Sequence, residues 1–150
     1  MTRLPRFVSF VAVSLGCFDL IRGLVHTVLA GSTGVELSGV DISGPTGRDQ
    51  LVFMIAFGSS NFITGAALIY LGLTNRLGAL IVMTVIPVAL FIAGCSLEHW
   101  GADLQGQGVF PGTRNMKIYA IICIVTVFGA LLLRFLDAHL PASKHNLKAE

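Results

Sequence analysis

The chain has 150 residues, of which 54% are hydrophobic and only 12% are charged. An ordinary soluble domain carries about 25% charged residues, so this composition excludes that class. The net charge is +2, and the basic residues are scattered along the chain, which excludes a nucleic-acid-binding patch.

The apolar residues occur in four long blocks. They cover approximately residues 7–29, 51–73, 77–97 and 118–136. Each block has about the 20 residues that a bilayer-spanning helix requires. Because the blocks take up more than half of the chain, little remains for a separate soluble domain. The sequence therefore predicts an all-α fold, a single polytopic integral membrane four-helix bundle in contact with the lipid bilayer.

The first block carries three charged or titratable residues in its middle. Asp19, Arg22 and His26 fall on one stripe at helical spacing, with Gly16 and Gly23 beside it. Charged groups inside a membrane almost always face the bundle interior or a wet cavity. We therefore expect this stripe to point inward, with a neighbouring helix packed closely against the two glycines.

The segment between the first two blocks, residues 31–50, is rich in Gly and Ser. Within it, "VELSGVDIS" at 35–43 alternates apolar and polar residues around Ser38-Gly39. The sequence favours an irregular loop here, with a β-hairpin as the alternative.

The second block presents a face that matches the stripe. Small residues and one amide share this face: Gly58, Asn61, Gly65, Leu68 and Gly72. Small residues at such spacing let helix backbones approach, and a polar residue among them hydrogen-bonds across the contact. Counted from the predicted helix ends, Asn61 is level with Asp19 near mid-membrane.

The last two blocks carry fewer polar residues. A three-residue connection, Thr74-Asn75-Arg76, makes the second and third helices antiparallel neighbours. The predicted inward faces are Thr84, Pro87, Gly94 and Glu98 on the third helix, and Tyr119, Cys123, Thr126 and Ala130 on the fourth. Trp100 and Tyr119 also suit the membrane–water interface.

Residues 137–150 are polar and are predicted to form a flexible cytoplasmic tail.

The basic residues favour one orientation. Six lie in the N-terminal, middle-loop and C-terminal segments, and three lie in the other two loops. They are Arg3, Arg6, Arg76, Arg134, Lys144 and Lys148, against Arg48, Arg114 and Lys117. The positive-inside rule then predicts a multi-pass protein of the inner cell membrane with both termini in the cytoplasm.

Six residues form the predicted ligand site, a polar column that rises from mid-membrane to the outer surface. They are Asp19, Arg22, His26, Asn61, Glu98 and His99. Arg supplies fixed donors and His can exchange a proton, which suits the headgroup of a quinone-like or lipidic ligand. No metal site is predicted, because three or four converging ligands are required. No motif for nucleophilic catalysis is present, so no catalytic residue is predicted and a non-enzymatic role is favoured.

The stretches "FDLIRG" at 18–23 and "SSNFITG" at 59–65, together with the size and helix layout, carry a family resemblance. Over residues 7–136 the chain resembles the small four-helix bacterial membrane proteins of the DoxX-like type. Some members of that type are linked to quinone-dependent sulfur oxidation, so the resemblance implies a quinone as the candidate cofactor.

Two other functions remain open at this stage. A mid-membrane Asp19 would suit a small proton-coupled transporter that acts as a homodimer. Alternatively, the charges only pack helices together, and the chain is a structural membrane scaffold. The preferred hypothesis is a binding module, acting as a homo-oligomer or as a subunit of a membrane complex.

Overall fold

The computed structural model describes residues 4–38, 42–45, 47–99 and 112–139, with side chains described for 4–37, 42–45, 47–92 and 117–139. Within these ranges every regular element is a helix and there is no strand, so the predicted all-α class is confirmed there. The elements are α1 (Arg6–Thr27), a π-helical turn (Ala30–Gly34), α2 (Val35–Ser38), α3 (Gly47–Thr74), α4 (Arg76–His99) and α5 (Gly112–His139).

Three of the described helical stretches are long and apolar enough to cross a membrane: Arg6–Thr27, Gly47–Thr74 and Lys117–His139. In α4, the stretch Arg76–Ile92 is apolar but shorter. The outer surface is covered by large apolar side chains, whereas polar Asp19, Asn61 and Thr126 are buried. This distribution is the reverse of a soluble protein's, and it confirms the predicted membrane class.

The helices α1 and α3 are in backbone contact. A Cβ on Gly16 would lie 2.7 Å from the carbonyl oxygen of Gly65, and a Cβ on Gly65 would lie 2.7 Å from that of Gly16. Further along, Gly23 lies against Gly58, so the two helices run antiparallel. The close packing predicted from the spacing of these glycines is therefore confirmed, because glycines let two apolar helices approach closely.

The connection between α3 and α4 is fixed at the N-terminal end of α1. The Asn75 side-chain oxygen accepts a hydrogen bond of 3.1 Å from the Gly78 N–H and so caps α4. The Arg76 guanidinium donates to Leu4 O at 2.7 Å and to Ser9 Oγ at 2.9 Å. As predicted from the short connection, α3 and α4 are sequential neighbours in contact.

The predicted inward face of α5 is correct. Tyr119, Cys123, Thr126 and Ala130 are all buried. Toward the far end of α5, the Phe7 ring lies 3.7 Å from where a Cβ on Gly129 would be. Since Tyr119 contacts Asp19, later residues of α5 lie against earlier residues of α1, and these two helices are also antiparallel.

The prediction for the inward face of α4 was wrong at Thr84. This residue is exposed, and buried Leu80 and Met83 face the core instead. The Thr84 hydroxyl donates to Leu80 O at 2.8 Å. Because the hydroxyl is satisfied within its own helix, Thr84 is tolerated on the outer surface.

The first part of the segment after α1, residues 31–38, is helical and not the predicted irregular loop or hairpin. Residues 42–45 are non-helical, as expected for a loop, and residues 39–41 and 46 lie outside the described residues. The N–H groups of Leu29 and Gly34 donate five residues back, to Leu24 O at 3.3 Å and to Leu29 O at 2.8 Å. Continued helical bonding satisfies backbone groups beside the bilayer, where unpaired ones are costly.

At the C-terminal end, α5 includes residues 137–139, which the sequence analysis placed in the tail. The rest of that predicted tail, residues 140–150, lies outside the described residues.

Candidate functional site

Asp19 is the most deeply buried charged residue of the described chain, with 3% of its surface exposed. The Tyr119 hydroxyl donates a hydrogen bond of 2.7 Å to its Oδ2. Its Oδ1 lies 3.8 Å from Arg22 Nη1, which is an ion pair but is too long for a hydrogen bond. The carboxylate is therefore held by α5 on one side and by a cation of its own helix on the other.

The Arg22 guanidinium lies between two aromatic rings. Its Cζ is 5.6 Å from the Phe18 ring centroid and 5.2 Å from the Phe57 ring centroid, both within the range of a cation–π interaction. Among the described residues no oxygen accepts a hydrogen bond from this guanidinium. The rings thus contact the guanidinium from α1 and α3, while its N–H donors have no hydrogen-bond acceptor in the described part of the chain.

Asn61 is the second polar side chain with a free donor. It is 7% exposed, and its buried Nδ2 has no hydrogen-bond partner in the described part of the chain. An unsatisfied buried donor costs about 1–3 kcal/mol. This unsatisfied donor lies on the face of α3 that also packs against α1.

These side chains line one half-open cavity of about 240 Å³. The cavity lies between α1, α3, α4 and α5 and combines a polar wall with an apolar one. Its lining residues are Asp19, Arg22, Phe57, Ser60, Asn61, Thr64, Ile86, Ala89, Leu90 and Tyr119. We refer to it as the polar cavity.

The hydroxyls of this lining are already used as donors. Ser60 Oγ donates to Phe57 O at 2.7 Å, and Thr64 Oγ1 donates to Ser60 O at 3.1 Å. They therefore offer only lone pairs to a ligand, whereas Arg22 and Asn61 offer N–H groups. The free donors of the cavity are suited to an acceptor oxygen such as a carbonyl.

Three of the six predicted site residues, Asp19, Arg22 and Asn61, meet at the polar cavity. His26 does not line it. Its Nδ1 donates to Arg22 O at 2.9 Å, and its ring meets Phe57 edge-on with the centroids 6.1 Å apart. His26 therefore lies beside the polar cavity and does not form part of its lining.

The remaining two predicted residues, Glu98 and His99, are the last residues of α4. Their side chains lie outside the described part of the structure. The interfacial residue Trp100 lies outside the described residues altogether.

Tyr119 was not among the six predicted site residues, although it lines the polar cavity. Tyr119 was predicted on the inward face of the fourth helix and also as suited to the membrane–water interface; it is 6% exposed and bonded to Asp19. A signal was present, because Tyr119 shares the inward face of α5 with Cys123 and Thr126. The choice between interface and interior could not be made from the spacing alone.

A second half-open cavity of about 200 Å³ lies between α1 and α5, and Tyr119 lines both. Its other lining residues are Leu15, Phe18, Ile118 and Ile122. We call it the apolar cavity. It offers hydrocarbon contact and no free charged group.

Comparison with protein-family models, curated proteins and solved structures finds no match to this chain. Among the described residues, no group of three or more His, Cys, Asp and Glu side chains converges as metal ligands would. The interpretation of the site therefore depends on its own geometry.

Proposed function

We propose that this chain is a membrane-embedded binding module, or a subunit of a membrane complex, that holds the headgroup of a quinone-like or lipidic ligand in the polar cavity. The observation that carries the proposal is the Asn61 amide, whose buried Nδ2 has no hydrogen-bond partner among the described residues and lines a cavity beside the N–H donors of Arg22. Buried polar groups are nearly always hydrogen-bonded, so an acceptor oxygen of a ligand would supply the missing partner.

The charge balance of the cavity favours a neutral headgroup. Asp19 and Arg22 form an ion pair, so their charges largely cancel. An added ionic group would enter a low-dielectric site whose described lining residues offer no unpaired counter-charge, which is costly. A carbonyl oxygen needs only donors, and Arg22 and Asn61 supply them. A quinone or an ester-linked lipid headgroup meets this requirement.

A proton-coupled transporter is supported less well. A carrier carboxylate has to exchange protons with both sides of the membrane in turn. Asp19 instead accepts the Tyr119 hydrogen bond and pairs with Arg22, so both of its oxygens are engaged. These contacts suit a carboxylate that orients its neighbours.

We further propose a four-span bundle in the inner membrane, of DoxX-like architecture, with both termini in the cytoplasm. The antiparallel contacts of α1 with α3 and with α5, and the short α3–α4 connection, support this arrangement. Arg76 at that connection and Arg134 near the end of α5 favour the cytoplasm for this side. Reporter fusions active only in the periplasm should be silent at both termini, and activity at either terminus would overturn the orientation.

Native mass spectrometry tests the binding function. The protein is purified in mild detergent as wild type, as Arg22→Ala and as Arg134→Ala, the last being a control that removes an exposed Arg of α5. We expect a small molecule to co-purify with the wild type and the control but not with Arg22→Ala. A wild type that retains no ligand, and binds none of a set of added quinones and lipids, would overturn the proposal and favour a scaffold.

A further inference from the structure

We propose that the ligand reaches the polar cavity sideways from the lipid, between α3 and α4, and that its hydrocarbon tail stays in the bilayer. The inference rests on the proposed function and specifies its ligand class, a neutral polar headgroup attached to a long apolar chain. We call the opening between Ser60 on α3 and Ala89 on α4 the α3–α4 seam.

The seam is lined by small side chains. Ser60 and Ala89 are the exposed members of the cavity lining, whereas Asp19, Asn61 and Tyr119 are its buried members. The cavity therefore has its polar groups at depth and two small residues at its mouth. Phe57, Ile86 and Leu90 form apolar walls between them.

The seam lies at the middle of both helices. Ser60 is 13 residues from Gly47 and 14 from Thr74, and Ala89 is 13 from Arg76. At about 1.5 Å per residue, both lie roughly 20 Å from those helix ends. The hydrocarbon core is about 30 Å thick, so the mouth opens onto acyl chains. A molecule must be dissolved in the bilayer to reach it.

The size of the cavity leads to the same ligand class. Sites for whole drug-sized ligands occupy about 300–1,000 Å³, and this cavity has about 240 Å³. It accommodates a headgroup, and the rest of a membrane-soluble ligand must lie outside. The seam is the direction in which the tail would leave.

The apolar cavity between α1 and α5 is the alternative route. Its exposed lining residues include Ile118 and Ile122. Tyr119, whose hydroxyl bonds Asp19, lines both cavities and stands between this route and Asn61. A ligand taking this route would have to pass Tyr119, which is buried and bonded to Asp19, whereas the seam is lined by the exposed residues Ser60 and Ala89.

The test uses the full chain in lipid nanodiscs and a decyl-tailed benzoquinone as the probe. Ala89→Trp closes the seam, and Ile122→Trp closes the alternative route. Ala66→Trp is the matched control, because Ala66 is an exposed alanine of α3 that does not line the cavity. Arg22→Ala tests the proposed function separately. We expect Ala89→Trp to weaken binding by about tenfold or more, equivalent to about 1.4 kcal/mol, with Ala66→Trp and Ile122→Trp at wild-type affinity.

A second measurement uses only the wild-type protein and so does not depend on the folding of variants: the probe carries a diazirine on the part of the tail next to the headgroup. Irradiation should label residues of α3 and α4 that flank the seam. Labelling on α1 and α5 near Ile122, or unchanged affinity in Ala89→Trp while Arg22→Ala loses binding, would overturn the seam and leave the proposed function standing. Unchanged affinity in Arg22→Ala, or no binding by the wild type, would overturn both.

Discussion

The Tyr119 hydroxyl donates a 2.7 Å hydrogen bond to Asp19 Oδ2, joining residues that are 100 positions apart in the chain. Both residues are buried. Through this bond α5 determines where the carboxylate of α1 points, and the carboxylate in turn faces Arg22. The geometry of the polar cavity, which Tyr119 itself lines, therefore depends on α5 as well as on α1.

Replacing Tyr119 with Phe should destabilise the protein by about 2 kcal/mol, since a hydrogen bond to a charged group is worth about 1.5–3 kcal/mol. The change removes only the hydroxyl and leaves one carboxylate oxygen without its donor. The measurement is the unfolding midpoint in detergent. Tyr70→Phe is the matched control, because Tyr70 is 66% exposed on α3 and should be neutral. Equal midpoints for the two variants would contradict the assigned role.

Adding a methyl group where α1 crosses α3 should also destabilise the fold. In Gly65→Ala the new Cβ would lie 2.7 Å from Gly16 O, a backbone atom that cannot move alone. Overpacking of this kind costs about 1–3 kcal/mol. Gly129→Ala is the control, because its nearest neighbour is the Phe7 ring at 3.7 Å. Helix propensity should make Gly129→Ala neutral or stabilising by up to about 1 kcal/mol. A neutral Gly65→Ala would show that the helices are not in backbone contact.

Asn61→Leu should change stability and binding in opposite directions. In the ligand-free protein the substitution removes an unsatisfied buried donor, so the unfolding midpoint should stay level or rise. Binding of the decyl-tailed benzoquinone should weaken by about tenfold or more, as expected when a hydrogen bond worth about 1.4 kcal/mol is lost. If Asn61 instead only joins helices, Asn61→Leu will lower the midpoint and leave any binding intact.

Arg76 holds the α3–α4 connection against the start of α1 through two hydrogen bonds, to Leu4 O and Ser9 Oγ. Lys keeps the positive charge but lacks the planar, forked donor geometry. Arg76→Lys should therefore lower the free energy of unfolding by about 1–2 kcal/mol. The orientation of the termini in reporter fusions should be unchanged. A stable Arg76→Lys variant with inverted termini would mean that the residue acts through something other than these bonds.

The helices and their closest contact could be predicted from the sequence because both depend on local pattern. Long apolar blocks predict membrane-spanning helices, and glycines at helical spacing predict that two helices pack closely. Gly16 and Gly65 are in contact as this pattern predicts. The level match of Asp19 and Asn61 followed from counting residues along two antiparallel helices, and both line one cavity.

Other features depend on choices that spacing does not determine, and the prediction was wrong at Thr84. Thr84 satisfies its hydroxyl within its own helix, so its polarity did not reveal which side of α4 faces inward. The sequence was compatible with Tyr119 at the membrane interface or in the protein interior. Its burial and its hydrogen bond to Asp19 place it in the interior. His26 donates to a carbonyl of its own helix, a local option that a stripe of polar residues does not exclude.

The most direct test of the central claim observes the Asn61 amide itself. The chain has four asparagines, Asn61, Asn75, Asn115 and Asn146, so selective ¹⁵N-asparagine labelling gives a simple NMR spectrum of side-chain amides, with Asn61 assigned by its absence in Asn61→Leu. On titration with the decyl-tailed benzoquinone, the Asn61 side-chain signals should shift and saturate, while those of Asn75, which caps α4, stay in place. An Asn61 signal that does not move, or one that moves no more than that of Asn75, would contradict a ligand site at this amide.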